Sequence, residues 1–296
     1  MNLQELGEDR LLEKLTRGLK RNRAVVAGPG DDCAVLRGRD PKKVLLLKTD
    51  CIVEAVHFKS DARPEAIGWK AMARPLSDFA AMSGVPQFAL VTLIAPPETT
   101  LRWTTGLYRG LQKAAEAFGV SIVGGETSST TGATTVSVSV SGWAEPDRWV
   151  SRAGGQRGDE LFVTGRLGGS LGGRHLRFQP RIVESRWLTA NFDVHAMMDL
   201  SDGLGTDLPR LARASGVGFE IDEAAIPRHR GCTVEQAITD GEDYELLFAL
   251  APAQGERLPR RWRRQFPKLR LTQIGRFIPS SKTNGGGLRG GYVHFQ

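Results

Sequence analysis

Residues 134–143 read TTVSVSVSGW and contain the clearest strand pattern in the chain. Val136, Val138 and Val140 alternate with serines, so the apolar side chains point to one face of an extended segment and the hydroxyls to the other. This period of two predicts a β-strand with one buried face.

Helices and strands alternate on both sides of this strand. Before it, apolar runs predict strands at 44–47, 88–94 and 120–123, and the residue spacing predicts helices at 65–83 and 101–118. After it, a polar, glycine-rich stretch at 144–159 is the best candidate for a domain boundary, and strand signals begin again at 161–164, 197–200 and 246–250. The pattern predicts an α/β or α+β protein with two domains, residues 1–146 and 147–296.

Composition excludes several classes of protein. Of the 296 residues, 40% are hydrophobic and 25% are charged, which excludes a disordered or fibrous chain. No apolar run approaches the roughly 20 residues that cross a bilayer, and the N-terminus lacks the apolar core of a secretory signal, so we expect no membrane partner. The three cysteines lie far apart and predict a reduced, cytoplasmic protein. The net charge of +7 permits an anionic partner without identifying it.

The acidic residues carry the strongest functional signal. Most of them stand at the ends of apolar segments or beside glycines, where open α/β folds place their sites: Asp31, Asp32, Asp50, Asp78, Glu126, Asp199, Asp202, Glu242 and Asp243. Carboxylates gathered there repel one another unless cations lie between them. The five histidines show no metal-ligand spacing, so the metal we expect is Mg²⁺ held by carboxylates. A cluster of this size suggests more than one ion, bridging a polyphosphate.

Each of these residues also has an ordinary structural interpretation. Asp31 and Asp32 after a glycine are typical of a turn, and Ser201 and Asp202 before a helix are typical of a cap. Asp78 on an alanine-rich helix would by itself be an exposed residue, and Tyr108 a packing residue. The basic cluster at 260–264 is compatible with nucleic-acid binding, but no nucleic-acid-binding motif accompanies it and a solvated helix face explains it better.

Taken together, the motifs resemble the thiamine-monophosphate kinase family of the aminoimidazole-ribonucleotide-synthetase-like superfamily. The matching segments, in chain order, are GDDCAVL (30–36), KTD through VHF (48–58), LSDFAAM (76–82), GGET (124–127), RFQPR (177–181), DLSDGL (199–204), GEDYEL (241–246) and YVHF (292–295). Their order and spacing cover some 260 residues.

The resemblance implies a fold and a reaction. It implies an N-terminal α+β sheet domain that pairs with its twin across a homodimer, and a C-terminal α/β domain. It implies that ATP and thiamine monophosphate give ADP and thiamine diphosphate, with several Mg²⁺ ions.

The resemblance also implies roles for individual residues. By match of motif, the metal ligands are Asp32, Thr49, Asp50, Asp78, Glu126, Asp199 and Asp202. The ATP-binding residues are Tyr108, Gly125, Arg152 and Ser201, with Arg152 also supporting the transition state. The residues at the thiamine phosphate are His57, Glu242 and Tyr292.

Two departures from the family pattern leave alternatives open. Glu126 stands where the family usually has Asp, which changes the reach of one predicted metal ligand. Asp240 stands where the family usually has glycine, which predicts a changed backbone before Glu242. The alternatives are a superfamily member with a different acceptor and a non-catalytic protein that binds thiamine phosphates.

Overall fold

The computed structural model describes residues 2–20, 22–282, 288 and 290–292. Its strands form two sheets, one from each half of the chain. The predicted α/β or α+β class is therefore confirmed. The first sheet ends at Ala144 and the second begins at Glu160. The division at 146/147 stays a prediction.

The first sheet has six strands in the order β1-β2-β3-β6-β4-β5. All neighbouring pairs are antiparallel except β4 and β5, which are parallel. The strands are β1 (Val25–Ala27), β2 (Ala34–Arg37), β3 (Val44–Val53), β4 (Val85–Ala95), β5 (Ser121–Ser129) and β6 (Thr135–Ala144). In β6 the three valines are buried, as the alternation predicts.

The second sheet has five strands in the order β8-β10-β7-β11-β9, and all its pairs are antiparallel. The strands are β7 (Glu160–Thr164), β8 (Val194–Asp199), β9 (Gly218–Ile221), β10 (Leu246–Leu250) and β11 (Leu271–Ile278). Every residue of β10 is buried, so this strand has no solvent face.

Nine α-helices are present in the described part of the chain. They are α1 (Leu3–Leu6), α2 (Glu8–Thr16), α3 (Pro64–Ala81), α4 (Leu101–Ala117), α5 (Ile182–Asn191), α6 (Leu204–Ala214), α7 (Val234–Thr239), α8 (Pro252–Gly255) and α9 (Leu258–Gln265). None of these helices is long and apolar enough to cross a membrane.

Helix α3 joins the two halves of the molecule. Its apolar residues Ile67, Met72, Leu76 and Phe79 pack with the inner face of the first sheet. Its last residues, including Ala80, pack with side chains of the second sheet and of α9. Because α3 is packed on several sides, some of its positions require small residues. At Gly68, for example, a Cβ would lie 2.0 Å from the carbonyl oxygen of Leu107 on α4.

Candidate active site

Three buried carboxylates from distant parts of the chain meet where the two halves join. One carboxylate oxygen each of Asp32, Asp78 and Asp199 lies within 4.8 Å of the others. Asp32 follows β1, Asp78 lies on α3, and Asp199 ends β8. The fold thus brings together three of the predicted metal ligands.

The three carboxylates differ in their hydrogen-bond donors. Ser77 Oγ donates to Asp199 Oδ2 at 2.6 Å, and Lys48 Nζ donates to Asp78 Oδ1 at 2.7 Å. Arg152 donates to Asp32 Oδ1, whereas the buried Oδ2 of Asp32 has no hydrogen-bond partner among the described residues. A buried carboxylate oxygen without a donor favours a bound cation.

Burial and mutual repulsion change the acidity of this cluster. Burial, together with the charge on Asp32, raises the pKa of Asp199 to about 7. Burial also raises the pKa of Asp78 well above its ordinary value, and the charges on Asp50 and Asp199 add to this effect. A cation bound among these carboxylates would favour their ionised form and offset their mutual repulsion.

A cleft of about 490 Å³ opens from this cluster, lined by five acidic and five basic side chains as well as Ser201 and Tyr244. The acidic residues are Glu8, Asp50, Asp78, Asp199 and Asp202, and the basic residues are Lys48, Arg74, Arg152, Arg210 and Arg213. The structure therefore gathers the predicted residues Asp50, Asp202, Ser201 and Arg152 around the three carboxylates. Mixed charge of this kind suits a ligand that carries both phosphates and metal ions.

Asp202 is held at the edge of the cleft by its neighbours. Its carboxylate accepts from Arg210, and its backbone N–H donates to Asp207 Oδ2 at 2.9 Å. Its carbonyl accepts from the N–H of Tyr292 at 2.9 Å, which brings the predicted substrate residue Tyr292 beside it. Val293, His294 and Phe295, the rest of that motif, lie outside the described residues.

A second buried network holds the predicted substrate residues His57 and Glu242. Lys70 Nζ, which is fully buried, donates to both carboxylate oxygens of Glu242 at 2.7 and 2.6 Å and to the carbonyl of His57 at 2.6 Å. His175 Nδ1 lies 2.9 Å from Glu242 Oε2. Burial raises the pKa of Glu242, but the His175 hydrogen bond and the charge on Lys70 outweigh it and bring the pKa to about 2.

The chain around Glu242 adopts an uncommon backbone. Glu242 and Tyr244 have φ values of 53° and 52°, in the left-handed region that residues with a Cβ rarely adopt. Asp240, in contrast, has an ordinary helical φ of −63°. The aspartate therefore needs no glycine conformation, and its Oδ2 accepts from Gly169 N at 2.6 Å.

Four predicted residues lie away from the cleft. Thr49 is on the opposite face of β3 from Asp50 and hydrogen-bonds Ser139 Oγ at 3.0 Å. Gly125 and Glu126 are on the exposed edge strand β5, and Tyr108 on α4 packs partly buried against the first core. A Cβ at Gly125 would lie 1.8 Å from the carbonyl oxygen of Val91, so sheet packing alone explains this glycine.

Sequence reasoning missed two lysines and an arginine of the site. Lys70, Arg74 and Asp78 are spaced by four residues on α3, so helical periodicity places them on one stripe. Lys48 shares its strand face with Asp50, two residues away. Both spacings are visible in the sequence and could have indicated these residues. The contact between Lys70 and Glu242 spans 172 residues and has no local signal.

Comparisons with known proteins identify the family. Residues 30–144 match the family described as AIR synthase related protein, N-terminal domain, and residues 119–283 match its C-terminal domain. The thiamine-monophosphate kinase of Rhodopirellula baltica is 40% identical over 78% of each chain, and that of Aquifex aeolicus is 34% identical over 93% of each. A solved structure, AaThiL complexed with AMPPCP and TMP, aligns with 99% of each chain at 32% identity and a TM-score of 0.84. The chain belongs to the thiamine-monophosphate kinase family.

Proposed function

We propose that this chain transfers the γ-phosphoryl group of ATP to thiamine monophosphate, giving ADP and thiamine diphosphate. The observation that carries the proposal is the meeting of Asp32, Asp78 and Asp199 at the head of a cleft lined by both charges. The family and the similar structure that holds AMPPCP and TMP support the same reaction.

The three carboxylates fit a hard divalent cation. They offer oxygen ligands only, and the unpartnered Oδ2 of Asp32 is an available one. We infer that Asp32, Asp78 and Asp199 hold Mg²⁺, with Asp50 and Asp202 at the sides of the cleft. When bound, Mg²⁺ would neutralise phosphate charge. Thr49 and Glu126 stay proposed ligands that lie outside this cleft.

The acceptor needs little activation. A phosphate monoester has a second pKa near 6, so at pH 7 it is mostly ionised and requires no general base. We infer an in-line displacement: an acceptor oxygen forms a bond to the γ-phosphorus, and the bond to the β,γ-bridging oxygen breaks, so that ADP leaves with the electron pair. Alignment and charge neutralisation are then the main tasks of the protein.

We infer that Arg152 assists this charge neutralisation. It contacts Asp32 through its guanidinium, while its buried Nε has no partner among the described residues. We propose that Arg152 and Ser201 contact ATP from the cleft wall. Tyr108 and Gly125 lie outside the cleft, and their contacts with ATP stay proposals.

On the acceptor side, we propose that His57, Glu242 and Tyr292 contact thiamine monophosphate. Lys70 contacts both His57 and Glu242, and so keeps the two near each other. Tyr292 is 39% exposed, and we propose that its ring stacks on the cationic thiazolium ring.

We further propose a homodimer. The outer face of the first sheet exposes the large apolar side chains of Leu45, Leu47, Phe88, Leu90 and Val123. An apolar face of this kind is typical of a protein interface.

The described cysteines Cys33, Cys51 and Cys232 are free thiols, which favours a reducing compartment, and we place the protein in the cytoplasm.

Turnover tests the proposal. Purified protein is incubated with ATP, Mg²⁺ and thiamine monophosphate, and thiamine diphosphate is measured by chromatography, with free thiamine as the control acceptor. We expect product from the monophosphate alone. Asp32→Asn and Asp199→Asn keep side-chain shape but remove charge, and we expect at least about a 100-fold loss of turnover from either.

Two results contradict the proposal. Full activity of both Asn variants at limiting Mg²⁺ would show that these carboxylates hold no essential metal. Ligand binding without product would indicate a family member with a changed acceptor or a non-catalytic binder.

A further inference from the structure

A lysine side chain enters the acidic cluster from the first sheet. Lys48 lies on the inner face of β3, and its Nζ is 2.7 Å from Asp78 Oδ1 and 4.0 Å from Asp50 Oδ1. Its side chain is 22% exposed and lines the cleft. A fixed positive charge therefore contacts one of the three converging carboxylates.

The two ends of the cluster differ in what neutralises them. At one end, the Lys48 ammonium bridges Asp50 and Asp78. At the other end, Asp199 accepts from a neutral hydroxyl, and Arg152 donates to Asp32 Oδ1 while the buried Oδ2 of Asp32 has no partner among the described residues. Among the residues that the structure describes, the second end is therefore the one that offers a buried carboxylate oxygen without a donor.

An ammonium and a divalent ion compete for the same carboxylates. The Lys48 contact occupies Asp78 Oδ1, an oxygen that a second metal between Asp50 and Asp78 would need as a ligand, and its charge repels a divalent ion that approaches Asp50. Mg²⁺ requires near-octahedral coordination at about 2.0–2.1 Å, so an ion does not fit between Asp50 and Asp78 while a hydrogen-bonded ammonium lies there.

We propose that Lys48 stands in for a second divalent cation between Asp50 and Asp78 and leaves one metal to be held by Asp32, Asp78 and Asp199. The inference rests on the proposed metal-binding role of these carboxylates. Lys48 acts through the two aspartates it holds and is a positioning residue. It keeps Asp50 and Asp78 close together before any metal binds.

Removal of the charge should open a metal site. In Lys48→Met the side chain keeps its length and loses its ammonium, so Asp50 and Asp78 become available ligands. We expect this variant to bind one more Mn²⁺ per chain than the wild type, measured on nucleotide-free protein from the electron paramagnetic resonance signal of free Mn²⁺. Lys48→Arg keeps the charge and should bind the wild-type number. Lys113→Met, on the exposed side of α4, is the matched control.

Thermal unfolding gives a second readout. In EDTA, Lys48→Met should melt several degrees below the wild type, because Asp50 and Asp78 lose the ammonium between them, while the charge of Arg74 stays nearby. Saturating Mn²⁺ should raise its melting temperature more than that of the wild type. Lys113→Met should respond to Mn²⁺ as the wild type does.

The outcomes separate this inference from the proposed reaction, because neither readout needs ATP or thiamine monophosphate. Equal Mn²⁺ stoichiometry in the wild type and Lys48→Met would overturn the role of Lys48 and leave the metal site standing. Absence of Mn²⁺ binding in both proteins would overturn the metal site and the inference together. If Lys48→Met fails to fold, a Lys48→Arg protein that binds more Mn²⁺ than the wild type would overturn the inference.

Discussion

The two sheets of this protein are covered in different ways. The five-stranded sheet is covered on both faces within the chain: α6 packs on one, and α5, α9 and the end of α3 pack on the other. The six-stranded sheet is covered on one face by α3 and α4, and its other face exposes the apolar side chains at 45, 47, 88, 90 and 123.

The chain therefore covers both faces of the five-stranded sheet by itself, whereas it leaves one face of the six-stranded sheet for a partner. The covered sheet supplies Asp199 from the end of β8, and buried neighbours hold that residue in place. The half-covered sheet supplies Lys48 and Asp50 from its inner face, while its outer face is the surface that we propose for the dimer.

The largest expected contrast is in stability. Phe248 in β10 is fully buried and stacks on Phe162 with ring centroids 5.6 Å apart, whereas Phe88 in β4 is 49% exposed. Phe248→Ala removes a large side chain from a packed core and should lower the free energy of unfolding by about 3–5 kcal/mol. Phe88→Ala should lower it by less than about 1 kcal/mol when measured at protein concentrations below dimer formation. Denaturant unfolding of both variants checks this.

Equal losses in the two variants would contradict the contrast between the sheets. They would show that the outer face of the first sheet is buried within the single chain in solution.

The next effect concerns self-association. Leu90→Asp places a charge on the exposed face of the first sheet, where Leu90 is 50% exposed. If a second copy covers this face, the carboxylate would be desolvated, and we expect the dimer dissociation constant to rise by at least about 100-fold. Sedimentation equilibrium measures this constant.

Leu101→Asp is the matched control for Leu90→Asp, because Leu101 is 78% exposed at the start of α4, on the covered side of the sheet. It should leave the dissociation constant unchanged. A monomeric wild type, or equal effects of the two substitutions, would contradict the proposed interface.

The same contrast explains which parts of the fold could be predicted from the sequence. In β6 the valine–serine alternation was enough to predict the strand and its buried face, because one face is apolar and the other is polar. In β3 the run Val44–Leu47 is apolar throughout, so periodicity predicts a strand and gives no indication that Leu45 and Leu47 are exposed. A sheet face that a partner covers is as apolar as a face buried in the core, so the sequence pattern does not distinguish the two.

The site was predictable to a similar, partial extent. Motifs identified Asp32, Asp78 and Asp199, which the fold brings together, because the GDD, LSDFAAM and DLSDGL motifs are local features of the sequence. Their neighbours Lys48 and Lys70 were missed, since a lysine on a strand or helix has an ordinary exposed interpretation. The burial of Lys70 depends on Glu242 and His175, which the fold delivers from more than 100 residues away.

The smallest effect tests how firmly the two differently covered sheets are joined. Glu145, directly after β6, accepts from Arg186 of α5 at 2.6 and 2.8 Å, and Arg186 also donates to the carbonyl of Ser83 at 2.8 Å. The hydrogen bonds from Arg186 lower the pKa of Glu145 from 4.5 to about 2. Because the unfolded chain binds this proton more tightly, the stabilisation is present above pH 4.5 and is lost as the pH falls toward 2.

We therefore expect Glu145→Gln to lower the melting temperature at pH 7 by about 2–4 °C and to differ progressively less from the wild type as the pH falls below 4.5. Glu65→Gln removes a comparable ion pair with Arg109 that lies on the surface, with side chains 47% and 62% exposed, and should shift the melting temperature less. Calorimetry of the three proteins between pH 7 and pH 3 measures this. A difference between Glu145→Gln and the wild type that stays constant with pH would contradict the ion pair as its cause, because only an ionised Glu145 gains from Arg186. The contact between Glu145 and Arg186 would then stabilise the protein by packing and not by charge.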